Sequence, residues 1–165
     1  PSITNLTILR DGNPVDKVTS LNSGGELNYT LEATIQDFDG VSSAQAKIGR
    51  LAPIGQSEVW QLMSDNGIGP DRVANDGVFS LAFSARSSLS EGEMTLLIRA
   101  TDIFLSTTAD QDQQHNVSIT KSDSVKSGTS WISSNSTAII LISLVTLLAL
   151  GVGAFINILR NSELE

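Results

Sequence analysis

Three aspartates share one short, turn-rich stretch of the sequence. Residues 64–80 read SDNGIGPDRVANDGVFS and contain Asp65, Asp71 and Asp76 beside two asparagines, three glycines and a proline. Carboxylate oxygens are preferred ligands of Ca²⁺, which takes about six to eight oxygens in proteins. The same residue types also make turns unaided, because Asp and Asn bond nearby backbone amides and Gly adopts positive φ. The stretch therefore predicts either a calcium-binding loop or a turn alone.

Three further aspartates follow predicted strands elsewhere in the chain. In an antiparallel sandwich whose strands alternate in direction, the loops after the second, fourth and sixth strands lie at one end. We therefore expect six carboxylates at one pole and a possible Ca²⁺ ligand set of Asp37, Asp39, Asp65, Asp71, Asp76 and Asp102. The spacing of an EF-hand is absent. No other cofactor is suggested by the sequence.

The residue inventory argues against several classes of function. The chain carries a net charge of −8, no cysteine and a single histidine, His115. An acidic surface disfavours nucleic acid, which binds to basic faces. A single histidine leaves no His-rich metal site, the absence of cysteine leaves no thiolate zinc site, and the sequence contains no recognisable motif for a catalytic nucleophile. We expect a protein that is not an enzyme, with His115 in a solvated loop. Trp60 is predicted to be a core residue, and a stacking platform for sugars is the alternative.

The elements that must position these residues are predicted to be strands. Leu27–Gln36 alternates apolar and polar side chains over ten residues, which is the period of a half-buried strand. Short apolar segments separated by turn clusters indicate an all-β fold, a seven-stranded antiparallel sandwich. The predicted strands are Ile3–Leu9, Leu27–Gln36, Ala44–Ile48, Val59–Leu62, Val78–Phe83, Met94–Thr101 and Asn116–Thr120.

Three segments carry a resemblance to a known group of domains. They read ATIQDFDGVSSAQAKI, DNGIGPDRVANDGVFSLAF and EGEMTLLIRATD. Together they resemble the immunoglobulin-like and fibronectin-III-like sandwiches of bacterial and archaeal cell-surface proteins, over roughly residues 3–120. The resemblance implies an architecture and says little about function. Asn66 and Asn75 depart from it, since those loop positions often hold Asp and Gly.

A long apolar segment follows the predicted sandwich. Residues 138–159 contain no charged side chain, and about 20 apolar residues suffice to cross a bilayer core. We predict a sandwich at 1–120, a Ser-rich stalk at 121–137, a transmembrane helix at 138–159 and a cytoplasmic tail at 160–165. Ala149 and Gly153 form a small-xxx-small pair that would let a partner helix approach closely.

Glycosylation sequons support an orientation with the sandwich outside the cell. The four acceptors are Asn5, Asn28, Asn116 and Asn135. We therefore expect a single-pass cell-membrane protein that meets lipid through its helix and protein partners through its ectodomain or helix. The leading hypothesis is a structural or binding module, the C-terminal end of a larger surface protein. The alternatives are a single-span accessory subunit of a membrane complex and a calcium-dependent adhesion module.

Overall fold

The computed structural model describes residues 1–108 and 114–123, and in these residues the regular structure is almost entirely β. One 3₁₀ turn, Gly49–Leu51, interrupts the strands. The nine strands of the described residues are β1 (Ser2–Arg10), β2 (Asn13–Val15), β3 (Lys17–Leu21), β4 (Glu26–Gln36), β5 (Val41–Lys47), β6 (Gln61–Met63), β7 (Val78–Arg86), β8 (Gly92–Asp102) and β9 (Gln114–Ser122).

The strands form two sheets that enclose one hydrophobic core. The four-stranded sheet has the order β2-β1-β4-β7, and the five-stranded sheet has the order β3-β9-β8-β5-β6. The predicted all-β sandwich is confirmed, and each of the seven predicted strands has a counterpart. The predicted number of strands was wrong, because β2 and β3 add two in the described residues.

The two additional strands arise where the chain turns after β1. Asp11 and Gly12 both have positive φ, 52° and 77°, which is the pattern of a type I′ hairpin turn. β2 returns antiparallel beside β1, and β3 then joins the other sheet. There β3 pairs parallel with β9, from Lys17 opposite Ser118 to Leu21 opposite Ser122. The predicted antiparallel sandwich therefore needs one correction, at this pair.

The core follows the alternation seen in the sequence. All five inward residues predicted for β4, from Leu27 to Ile35, are buried, and Leu96, Ile98 and Ala100 of β8 are buried as well. The Tyr29 ring stacks on Phe83 with centroids 5.4 Å apart. Its hydroxyl accepts from the backbone N–H of Thr19 and donates to the Thr19 carbonyl, both at 2.9 Å. Tyr29 thus ties β4 of one sheet to β3 of the other.

The C-terminal predictions fall largely outside the described residues. β9 continues to Ser122, so the last two residues of the strand lie beyond the predicted domain boundary at 120. Within residues 1–108 and 114–123 there is no helix long and apolar enough to cross a membrane. The predicted helix at 138–159, with Ala149 and Gly153, lies beyond these residues, as do Asn135, the tail and nearly all of the stalk.

Candidate functional site

Three loops meet at one end of the sandwich, as the alternation of strand direction predicts. Thr34, near the end of β4, pairs with Val78 at the start of β7, and Val41 at the start of β5 pairs with Asp102 at the end of β8. We call the loops 37–40, 64–77 and 103–108, with Asp102, the aspartate pole. All six predicted carboxylates belong to it, so the sequence located the pole correctly.

Three of the six carboxylates form a cluster. One oxygen from each of Asp65, Asp71 and Asp76 lies within 4.8 Å of the other two. Asp71 is buried, Asp65 is half-buried and Asp76 is exposed. This group could hold a metal ion, because hard cations prefer carboxylate oxygens and one exposed member leaves room for water ligands.

The clustered carboxylates also bond their own loop. Asp65 accepts from the N–H groups of Asp76 and Gly77, at 3.2 and 3.1 Å, and Asp76 accepts from Val78 at 2.9 Å. Asp71 accepts from Gly67 and Val73. The bond from the Gly67 N–H is the main cause that lowers the pKa of Asp71, against burial, which raises it. The turn interpretation therefore also has direct geometric support.

The other three predicted ligands, Asp37, Asp39 and Asp102, do not join this cluster. Asp37 lies 2.7 Å from the amino group of Pro1 and accepts from the Asp39 N–H, while Asp102 accepts from Phe104 and Ser106 at 2.8 and 2.9 Å. These carboxylates cap their own turns, which directs them away from a shared centre. The prediction of one six-carboxylate ligand set is therefore not supported in the described residues, where the metal-competent group contains Asp65, Asp71 and Asp76.

Neither Arg72, its neighbour in the sequence, nor Arg50 pairs with Asp71 in the described residues. Arg72 pairs with Glu32 on the outer face of β4 at 3.7 Å, so part of the 64–77 loop lies against the four-stranded sheet. Arg50 bonds Ser90 and the Gly92 carbonyl at the opposite end of the sandwich. Asp71 is held by backbone amides instead.

An apolar surface at the pole was missed by the sequence reasoning. Four large side chains are strongly exposed in adjoining loops: Phe38 (101%), Ile103 (57%), Phe104 (68%) and Leu105 (79%). The loops are joined because the Ile103 N–H donates to the Gly40 carbonyl at 3.3 Å. We call these four residues the apolar tip. The signal was present, since DFDG and DIFLS place large apolar residues inside turn segments.

The backbone holds the tip in an unusual conformation. Leu105 has a φ of 68°, a region that residues other than Gly, Asn and Asp rarely adopt. Its N–H donates to the Asp102 carbonyl at 3.2 Å, and the Asp102 N–H donates to the Ser106 carbonyl at 3.0 Å. Together with the capping carboxylate of Asp102, these bonds fix the loop with Leu105 turned outward.

Trp60 and His115 differ from their predicted environments. Trp60 is not a core residue: it is partly exposed, and the Arg99 guanidinium lies 4.3 Å from its ring centroid. Leu62 of β6 lies opposite Gln45, whose side chain points outward. Trp60 is two positions before Leu62 and therefore lies on the same outer face, since alternate residues of a strand share a face. His115 lies within β9 and is half-buried, and this burial lowers its pKa.

The three sequons within the described residues are accessible. Asn5, Asn28 and Asn116 are exposed on β1, β4 and β9. Asn28 accepts a hydrogen bond from the Ser84 hydroxyl, and Asn116 accepts one from the Thr95 hydroxyl, at 2.9 and 2.8 Å. Their positions leave the core undisturbed, and their modification stays a prediction.

Comparison with known proteins gives limited information. No model of a known protein family matches the chain, and no curated protein matches it. Among solved structures, the sialic acid-binding region of a Streptococcus sanguinis SK1 adhesin is similar over 72% of this chain, with 17% identity and a TM-score of 0.38. The matched region spans 30% of that adhesin chain. A likeness at this level carries no argument about the ligand of this chain.

Proposed function

We propose that the chain is a membrane-anchored extracellular binding module of immunoglobulin-like type. The apolar tip is the observation that carries the binding role. Contiguous exposed apolar surface on a folded domain marks an interaction site more often than a random surface does. Here the strain at Leu105 keeps an apolar side chain exposed where glycine would fit with less cost. Catalysis is no part of this proposal.

The assignment to the immunoglobulin-like or fibronectin-III-like group is supported by topology. The sheet that contains β1, β4 and β7 packs against the sheet that contains β9, β8, β5 and β6. The N-terminal part of the chain contributes to both sheets, with β1 in the first and β3 in the second. β9 ends at the pole opposite the tip, since Gly92 at the start of β8 pairs with Ile119. The last described strand therefore ends away from the tip, which supports a binding role for the tip in a chain anchored through its C-terminal segment.

The chemistry of the partner follows from the charges around the tip. The aspartate pole contains six carboxylates and one guanidinium, that of Arg72, which is engaged by Glu32. Like charges disfavour a second copy docking tip to tip, and they disfavour anionic lipid. The proposed partner is a protein with an apolar pocket bordered by Lys or Arg.

Photo-crosslinking tests this role in cells that produce the full chain. A photoreactive phenylalanine replaces Phe104, and the matched control replaces Ile54, which is 88% exposed and lies in the 52–60 loop at the opposite end. We expect the photoreactive residue at position 104 to form an adduct of the same mass in every experiment, with one surface protein. The residue at position 54 should form no such adduct. The Phe38→Ser change should remove it. Equal adducts from both positions, or adducts indifferent to Phe38→Ser, would refute a binding role for the tip.

A calcium-dependent variant of this function is the second candidate, and the Asp65–Asp71–Asp76 cluster favours it. The three oxygens lie close enough to share one cation. Bound Ca²⁺ would offset their repulsion and order the 64–77 loop at the same pole as the apolar tip. Binding would stabilise the fold by mass action, by about 2.7 kcal/mol at a hundred times the dissociation constant.

Thermal melts of the full chain in detergent decide between the calcium and turn interpretations. A rise in Tm with millimolar Ca²⁺ over chelator, lost in Asp76→Asn, would support a metal site. Asp39→Asn is the matched control, because Asp39 is an exposed carboxylate of the same pole outside the cluster. Coincident melts at low ionic strength and without Mg²⁺ would leave the segment as a turn.

A further inference from the structure

The outward face of the five-stranded sheet carries an arginine fixed in an unusual way. Arg99 of β8 lies directly opposite Gln45 of β5, and its Nε donates to the Gln45 Oε1 at 2.7 Å. Its guanidinium carbon lies 4.3 Å from the centroid of the Trp60 ring. The hydrogen bond to Gln45 and the contact with the Trp60 ring hold the guanidinium in place from two sides.

The terminal nitrogens of Arg99 remain available within the described residues. Arg10 and Arg72 pair with acidic side chains, and Arg50 and Arg86 donate to backbone carbonyls. Arg99 shows no such bond from Nη1 or Nη2 to any described residue. A guanidinium presents parallel N–H groups that match the two oxygens of a carboxylate.

Among the residues that the structure describes, the outward positions of β5 and β8 next to Arg99 carry no acid. The nearest outward positions along β8 and β5 are Thr101, Leu97 and Ser43. Lys47 lies 5.7 Å from the Trp60 centroid and pairs with Glu58 at 3.3 Å. The one outward carboxylate of β8 is Glu93, about 20 Å away at 3.3 Å per residue. The described part of this face around Arg99 is therefore neutral to basic on a protein of net charge −8, since Glu58 is paired with Lys47.

We propose that Arg99 and Trp60 form a binding site for a small carboxylate. The carboxylate takes the two Nη donors of Arg99, and the body of the ligand lies against the exposed part of Trp60 and the Leu62 side chain next to it. Two sources supply this chemistry: an acidic sugar residue, and the C-terminal carboxylate of a peptide. The site lies on a sheet face and is separate from the apolar tip, so either one can fail independently of the other.

Tryptophan fluorescence of the full chain in detergent micelles tests the proposal. Trp131→Phe serves as the background, so that Trp60 is the single reporter. The probes are D-glucuronate and acetyl-Gly-Leu, with glucose and acetyl-Gly-Leu-amide as matched uncharged controls, in about 0.15 M NaCl to screen weak attraction. We expect a saturable change with one or both carboxylates and none with the controls. Binding of one carboxylate alone identifies its source.

Variants distinguish specific binding by the two Nη donors of Arg99 from a general attraction to positive charge. Arg99→Lys keeps the charge and should weaken binding about tenfold or more, whereas Lys47→Gln should weaken it only about two- to threefold. Unchanged Tm values for both variants would exclude unfolding as the cause. Equal binding of charged and uncharged probes, or binding unaffected by Arg99→Gln, would overturn the proposal.

One further variant addresses the residues between β8 and β9 that the structure does not describe. Asp112 lies in that segment, two residues before Gln114. If carboxylate probes bound only after Asp112→Asn, the natural partner of Arg99 would be that aspartate, and the proposal would be wrong. Binding to the unmodified chain, with Asp112→Asn causing less than about a twofold change, supports it.

Discussion

The Tyr29 hydroxyl offers the most direct test of how the two sheets are held together. Tyr29→Phe keeps the ring and its stacking on Phe83 and removes two hydrogen bonds to the backbone of Thr19. A net hydrogen bond contributes about 1 kcal/mol, so the loss should be about 2 kcal/mol. For a domain of this size that lowers the Tm by about 8 °C.

The assay combines a melt with a local readout. Circular dichroism of the full chain in micelles gives the Tm, and amide exchange reports the protection of the Thr19 N–H. Thr19→Val is the matched control, since it keeps the backbone groups that Tyr29 bonds and loses only the weak contact of the Thr19 hydroxyl with Thr120 at 3.4 Å. If Tyr29→Phe shifted the Tm no more than Thr19→Val and left Thr19 protected, the argument for an inter-sheet tie would be refuted.

Three further predictions follow from single positions. Leu105→Gly should leave the Tm unchanged or raise the stability by up to about 1 kcal/mol, because glycine tolerates positive φ, while it removes tip-dependent crosslinks; a clear loss of Tm would contradict strain at this position. Ser20→Ala should stabilise by about 1 kcal/mol in chemical denaturation, since the fully buried Ser20 hydroxyl has no hydrogen-bond partner among the described residues. Burial lowers the pKa of His115, so the unfolded chain binds a proton at this residue at a higher pH than the folded chain does. The free energy of unfolding should therefore be highest above the ordinary histidine pKa of about 6.5 and should fall as the pH drops below it. The Tm of His115→Gln should depend less on pH over this range.

The parts of the fold that could be read from the sequence are those set by long-range periodicity. β4 was predicted within one residue because its alternation covers ten positions, and alternation assigns each side chain to a face. β3 was missed because it is only five residues long, and one of its two buried positions is the polar Ser20. Its parallel partner in another part of the chain leaves no local signal.

The candidate site shows the same division between topology and local contacts. The common pole of Asp37, Asp71 and Asp102 followed from alternating strand direction alone. The directions of the carboxylates could not be predicted, because each depends on which backbone N–H lies within reach of its own turn. Trp60 was misplaced because a large aromatic residue near a short edge strand fits a core or a surface equally well; the cation that covers it, Arg99, is 39 positions away in the sequence.

The parallel pairing of β3 with β9 has a mechanical consequence. β1 begins at the aspartate pole, where Ser2 lies opposite Gln36, and β9 ends at the other pole. A pull along the chain that enters through β1 and leaves through β9 therefore runs lengthwise through the sandwich. Five consecutive residue pairs, from Lys17–Ser118 to Leu21–Ser122, then slide against each other along their length. Their hydrogen bonds lie across the direction of force and must break together instead of one at a time, so this pair resists a pull applied between the start of β1 and the end of β9.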